Sequence, residues 1–538
     1  MRFFRSVISG VVLSLCFFSC KNNQSSENGT KEKTVVIGLN ADFDTLLEIA
    51  TANSDALHVI EEMLFLTLFD LDEELNITPR LAKSWQFSPD HKIATIALRD
   101  DVYWQDGERT TAADVIFTWQ VASDPQTGYP GINRFDQVDS LVAVDDFTLR
   151  CHYKLAYADA LYDLRIPVLP KHLLQNIPRA ELKQADFNRK PVGNGPYKLK
   201  EWRANDRVIF EANENFYQGR PNIDRVVFRI VPDEAVLNAS LLREEIDFTP
   251  YVAPNRLTAL EAVPNLYTQT HLDRGYSFLA FNMRRAPFQD VKVRQAITGA
   301  VDKERILSVL YRRKAQQVSG PIMPYFSAFN NSSSAEEFSP GSATELLSLS
   351  GWKDADSDGW LEKDDKPLKF TMKTNADNQL RSDMLAMIQA DLKKIGVDAQ
   401  PEPLEMGRLV QDVLQTHDFD AVLLSWKTGF TINPTQIWHS DAIENGYNLS
   451  GYSNDLVDSL LVAGRKEIDD SRRNEIWRAF QKEVSEDAPY VFLFAQENTG
   501  VVNARVKNLQ MDVRGYLINV ESWRIEESEP LAANSPTQ

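Results

Sequence analysis

Apolar positions along the chain alternate between strand-like runs and helix-spaced sets. Residues 34–39 are a β-branched run ending near Asn40, Ala41 and Asp42. Residues 95–99 alternate apolar with other side chains, as a half-buried strand does. A further strand is expected over 148–153, with Cys151 as a small buried apolar side chain. Two more, 208–212 and 226–230, are divided by a turn-rich stretch over 213–222. Thr111 with Asp114 can cap a helix running through Phe117, Trp119 and Val121. Met384, Leu385, Ile388, Leu392 and Ile395 share one helical face, which Gly396 stops. Residues 419–426 form an apolar strand that enters a loop. Ile476, Trp477, Phe480 and Val484 mark a late helix ended by Pro489. This interleaving predicts α/β or α+β architecture, not all-α. No internal repeat is visible, and the polar stretch 527–538 is expected to be a frayed tail.

The first twenty residues obey a different rule. Arg2 and Arg5 precede an apolar run, 7–18, too short to span a bilayer. Ser19-Cys20 and a polar stretch follow. That order predicts a secretory signal peptide over 1–20 and a flexible tether over 21–33. A Cys at the cleavage point resembles a bacterial lipobox, with Phe17 where Leu is usual. Cys20 would then carry acyl chains that hold an exported protein at the periplasmic face of the cell envelope. No later stretch reaches the length of a membrane span.

Composition narrows the function classes. The 538 residues suggest two to four domains, and 43% hydrophobic with 25% charged residues excludes a mostly disordered chain. Asp and Glu outnumber Lys and Arg by 77 to 58, and a net charge of −19 argues against nucleic acid as the partner. Of the three cysteines, Cys16 leaves with the signal and Cys20 would carry lipid. Cys151 then has no partner, so no disulfide framework is expected. The seven histidines show no zinc spacing, and there is neither a nucleophile elbow nor a phosphate loop. A carboxylate pair brought together in three dimensions leaves a secreted hydrolase open as an alternative. So is a structural envelope protein. Asp354, Asp356, Asp358 and Gly359, with Asp365 at position 12, approximate a calcium loop. The bland reading is an acidic turn; bound calcium would be structural, and no other cofactor is expected.

Several segments then carry a resemblance. Residues 79–85 are similar to the PxLAxSW segment of the family 5 extracellular solute-binding proteins, the dipeptide, oligopeptide and nickel receptors of ABC importers. Residues 98–107 resemble LRxGVxFHDG, and 110–115 resemble TAxDV. Gly193 to Tyr197 is similar to GTGPY, and 213–221 to NxxYWxGxP. Residues 245–247 resemble GEID. Phe281-Asn282, Pro287-Phe288 and 293–296 resemble the N…PF…VRxA block, and Gly351-Trp352 with 356–359 resembles GW…DGDG. The order is kept from about 34 to 509. The resemblance implies an α/β, two-lobed periplasmic-binding-protein fold (class II-like, cluster C) with an extra small α+β domain on lobe I. Lobe I would comprise 34–70, 196–275 and 490–526, the extra domain 71–195, and lobe II 276–489.

The implied function is non-catalytic. A monomer would close two lobes on a solute, most often a peptide held by backbone hydrogen bonds, and deliver it to an ABC permease with its ATPase. Nickel chelates, haem and oligosaccharides are the non-peptide alternatives. In peptide-binding members the loop after the 418–424 strand supplies binding residues, which maps the site onto Trp426, Lys427, Thr428, Gly429 and Phe430. Those members carry an Asp three residues after the Trp, paired with the peptide ammonium. That position is Gly429, and 426–434 contains no carboxylate. A buried ammonium without a counter-charge is costly. Lys427 would instead meet a ligand carboxylate or phosphate, or be a plain exposed lysine. Asn40, Asp42 and Phe43 end the strand that faces the cleft in relatives; Asp42 offers a replacement anchor or caps a turn. Tyr276 sits at the mapped crossing between lobes, and Asn448 and Tyr452 lie in a segment resembling the family's N…GY.

Overall fold

The structure, a computed structural model, describes residues 32–330 and 338–526. The expected signal peptide, Cys20, nearly all of the tether and the 527–538 tail lie outside the described residues.

Three sheets organise the fold. In the first, Thr34–Leu39 lies centrally, parallel to Arg225–Ile230 with Val36 opposite Val227. Arg207–Ala212 and Tyr197–Arg203 continue it on one side; Phe248–Thr249, Phe494–Asn503 and Leu266–Leu272 continue it on the other. The second runs Asp398–Leu404, Lys369–Asn375, Ala421–Lys427, Gly275–Phe281, Tyr490–Phe492. The third is antiparallel: Ala82–Phe87, Ile93–Leu98, Thr148–Tyr153, Val138–Asp145.

Period-two burial fixes each sheet on its core. Val208 and Phe210, with Val226 and Phe228, are fully buried in a cluster that continues under the third sheet through Ala94, Ile96 and Cys151. The extra domain therefore shares a core with the first lobe. Burial pushes the Cys151 thiol up to about 12, which leaves it an inert packing group. Along Gly275–Phe281 the two faces separate: Leu279 and Phe281 join one core with Met372 and Leu423, Phe278 and Ala280 another with Val422 and Tyr490.

Helix ends follow local chemistry. Asp114 accepts from the Thr111 N–H at 2.8 Å and starts Ala112–Ala122. The expected face of Gln379–Lys393 is buried, and Gly396 takes a φ of +76° just beyond it. Asp470–Asp487 stops at left-handed Ala488, before Pro489. Among the described residues no helix is long and apolar enough to cross a membrane.

The chain passes between the first and second sheets twice. Asp273-Arg274 links Leu272 to Gly275, and Leu493 links Phe492 to Phe494. Gly275 pairs with Lys427 and Tyr490–Phe492 pairs with 278–280, so backbone hydrogen bonding places both in the second sheet. Gly275 is required by a close approach: a Cβ there would lie 2.5 Å from the Trp426 carbonyl oxygen.

Candidate functional site

Strand register delivers the candidate loop to the first crossing. Ala421–Lys427 runs antiparallel to Gly275–Phe281 with Trp426 opposite Tyr276, so residues 426–430 emerge beside Arg274. Trp426 is half-buried. Its ring stacks on Phe278 at 5.6 Å and 21°, and its Nε1–H donates to the Tyr490 hydroxyl at 3.4 Å. Lys427 forms an ion pair with Asp273. The Thr428 N–H donates to the Arg274 carbonyl at 2.8 Å, and the Thr428 and Tyr325 hydroxyls bond at 2.7 Å. Gly429 is exposed, and a Cβ on it would meet nothing nearer than the Thr431 nitrogen at 3.9 Å. Phe430 has the Arg274 guanidinium 4.4 Å from its ring centroid and that of Arg165 at 5.4 Å. One lobe II ring thus meets the crossing and the extra domain together.

The first lobe supplies a buried set of charges. Asn53 caps Ser54–Val59 by accepting from the Ala56 N–H, and the helix continues as a π turn over Ile60–Leu64. That turn carries Glu61 and Glu62. Glu61 accepts from Arg165 at 2.8 Å, Glu62 from Arg80 at 3.1 Å, and Glu48 from the Tyr129 hydroxyl at 2.8 Å with Arg134 at 3.8 Å. Burial pushes the Glu61 carboxyl up, but Arg165 and Arg274 outweigh it and hold it below its ordinary value. For Glu48 the balance reverses: burial, then Glu61, raise it. Burial, aided by Arg274, lowers the His58 imidazole to about 4. Its ring packs 5.0 Å from that of Tyr516, over Gly515, whose φ is +141° and whose Cβ would lie 2.4 Å from the imidazole.

A cavity of about 530 Å³ opens beside this junction and meets it at Phe430 and Tyr325; Trp426, Arg274 and the carboxylates above do not line it. Leu75, Asp159 and Tyr162 of the extra domain line one side; Tyr325, Phe430 and Trp477 line the other. That size suits a small solute. His439 lies elsewhere, in a hollow of about 380 Å³ with Tyr157 and Arg465.

Several expected contacts are engaged by the fold itself. Asn40 is exposed in the bend after its strand. Asp42 accepts from Trp202 Nε1 at 3.1 Å and from the Asn205 N–H at 2.9 Å, so it clamps a turn of its own lobe. Phe43 is core, edge-on to Phe228 at 5.2 Å. Tyr276 is buried against Phe278 and Phe492. Asn448 staples its loop by donating to the Tyr452 carbonyl and accepting from the Tyr452 N–H, and the Tyr452 hydroxyl donates to Asp487 at 2.7 Å. Lys427, through Asp273, braces the crossing. Nothing in the local sequence marks Arg274, Arg165, Glu61 or Tyr325 for this junction.

The acidic loop keeps part of its expected donor set. Carboxylate oxygens of Asp354, Asp356 and Glu362 lie within 4.8 Å of one another. Asp358 instead accepts from the Trp360 N–H. Asp365 is displaced to the tip of the 362–367 hairpin, where Asp364 and Asp365 take φ of 52° and 58°. Glu362, not Asp365, faces the loop.

Residues 76–448 match the family described as bacterial extracellular solute-binding proteins, family 5, middle region. The chain is 30% identical over 532 residues to the oligopeptide-binding protein AppA of Bacillus subtilis, covering 95% of this chain and 97% of that protein. The solved structure of that organism's AppA in complex with a nonapeptide superposes with a TM-score of 0.76 at 28% identity, covering 92% of this chain and all of that one. NikZ from Campylobacter jejuni, in complex with Ni(L-His), gives 0.76 at 27%, covering 91% and 99%.

Proposed function

The chain belongs to the family 5 bacterial extracellular solute-binding proteins, and on that premise we propose that it captures a short peptide between its lobes for an ABC permease. Its family is one of non-enzymatic ABC substrate-binding proteins, which removes the hydrolase alternative. The observation that supports the reading is the meeting at Phe430. A solute enclosed there lies between residues of lobe II and the extra domain, against the Phe430 ring that packs on the crossing. Only a closed form makes all those contacts, so binding shifts the population toward closure, and excluded water strengthens each polar contact. Peptide is favoured because AppA, similar over nearly the whole chain, is an oligopeptide-binding protein. The same reading has Cys20 acylated; the mass of the mature N-terminal residue decides that point.

Isothermal titration with a pool of synthetic di- and tripeptides tests the ligand class. Saturable heat without turnover is expected; no heat and no rise in melting temperature would remove di- and tripeptides as ligands. In the same assay Trp426→Ala should bind the pool at least about tenfold more weakly. The stack on Phe278 also makes the ring part of the lobe II core, so this variant should lose about 1–3 kcal/mol of stability. Unchanged affinity would take Trp426 out of the site.

A further inference from the structure

Most junction charges are paired, Arg80 with both Glu62 and Asp70. Glu48 lies by Arg134, Glu61 by Arg165, Glu62 by Arg80, and Asp273 by Lys427. Among the described residues the Arg274 guanidinium makes no hydrogen bond and no ion pair; only its backbone groups bond, N–H to Asp273 and carbonyl to Thr428. Its position is fixed nonetheless. It lies 4.4 Å from the Phe430 centroid, and its charge acts on His58 and Glu61 of lobe I and on Tyr325 of lobe II. A guanidinium over an aromatic ring keeps its in-plane N–H donors free for a planar oxyanion. It is half-buried, and Glu61 attracts it without a direct ion pair. Glu61, the nearby carboxylate, already accepts from Arg165. Meanwhile the loop that carries Phe430 offers a glycine, Gly429, and no acid from 426 to 434.

We propose that Arg274 anchors a carboxylate of the bound solute, its guanidinium fork oriented by Phe430. The inference rests on reading this junction as the solute site. For a peptide, the chain end recognised here is the carboxyl terminus, not the ammonium. Arg274 is then the residue that sets ligand charge.

The test uses one di- and tripeptide pool in two forms, free acid and carboxyl-amidated, titrated into the intact protein, Arg274→Gln and Arg274→Lys. The expected result is that the wild type binds the acids at least about tenfold tighter than the amides. Arg274→Gln should abolish that preference, and Arg274→Lys, which keeps the charge but not the fork, should retain part of it. The wild-type comparison needs no variant to fold. Equal binding of both pools would overturn the anchor while leaving the peptide reading intact. Should neither pool bind, the short-peptide reading falls, and mono-, di- and tricarboxylic acids decide the anchor. A wild-type melting shift lost in Arg274→Gln supports it; no shift with any of these acids overturns it.

Discussion

Arg80→Met is expected to destabilise the protein by about 3–5 kcal/mol in urea unfolding, the cost of leaving buried carboxylates without their cation. Arg80 is 8% exposed. It bridges Glu62 at 3.1 Å and Asp70 at 3.3 Å and donates to the Glu61 carbonyl at 2.9 Å. It therefore ties the π turn of lobe I to the strand pair that leads into the extra domain. Burial pushes the Asp70 carboxyl up, yet Arg80 outweighs it and holds it below its ordinary value. Burial already raises the Glu62 carboxyl to about 7 despite Arg80, and without Arg80 both carboxyls would titrate higher, above their unfolded values. Stability would then be retained below about pH 4 and lost as pH rises, so the deficit should be larger at pH 8 than at pH 5. Adding Glu62→Gln should recover part of it. A pH-independent loss under 1 kcal/mol would show the cluster to be solvated.

His58 should set the acid limb. Its folded value of about 4 lies below the ordinary 6.5, chiefly through burial. Its contribution is thus fully present above pH 6.5 and lost as pH falls toward 4, up to about 3 kcal/mol. Asp55, raised by burial to about 6, works in the opposite sense, because its contribution is lost as pH rises through that value. The difference between wild type and His58→Gln isolates the histidine. Between pH 7 and 4.5 the wild type should lose about 2–3 kcal/mol more than the variant. Parallel curves would mean that the imidazole titrates normally beneath Tyr516.

Much of the scaffold was legible because it rests on local rules. The β-branched 34–39 run, the Thr111–Asp114 start and the periodic face of Gln379–Lys393 each need only neighbours in sequence. Trp426 is a candidate in sequence because a strand end must open into a loop. The charged junction is not. Arg274 acquires its surroundings only through the Gly275–Lys427 register, which brings Phe430 from far along the chain. Glu61 meets Arg165 only because a π turn rotates it inward. Asp42 is ambiguous for a physical reason: a carboxylate after a strand can serve a ligand or a turn, and its bond from Trp202 appears only in the fold. Asp365 fell at the right count for calcium, but a two-residue hairpin turn claims it first.

The central claim is that a small solute is enclosed between the lobes. Native mass spectrometry of the protein, purified gently from its own host, tests it most directly. The account predicts a retained non-covalent mass that unfolding releases, and its fragments should report a peptide bearing a free carboxylate. A bare protein mass that also stays bare, with an unmoved melting temperature, after incubation with the free-acid peptides and the organic acids would contradict it.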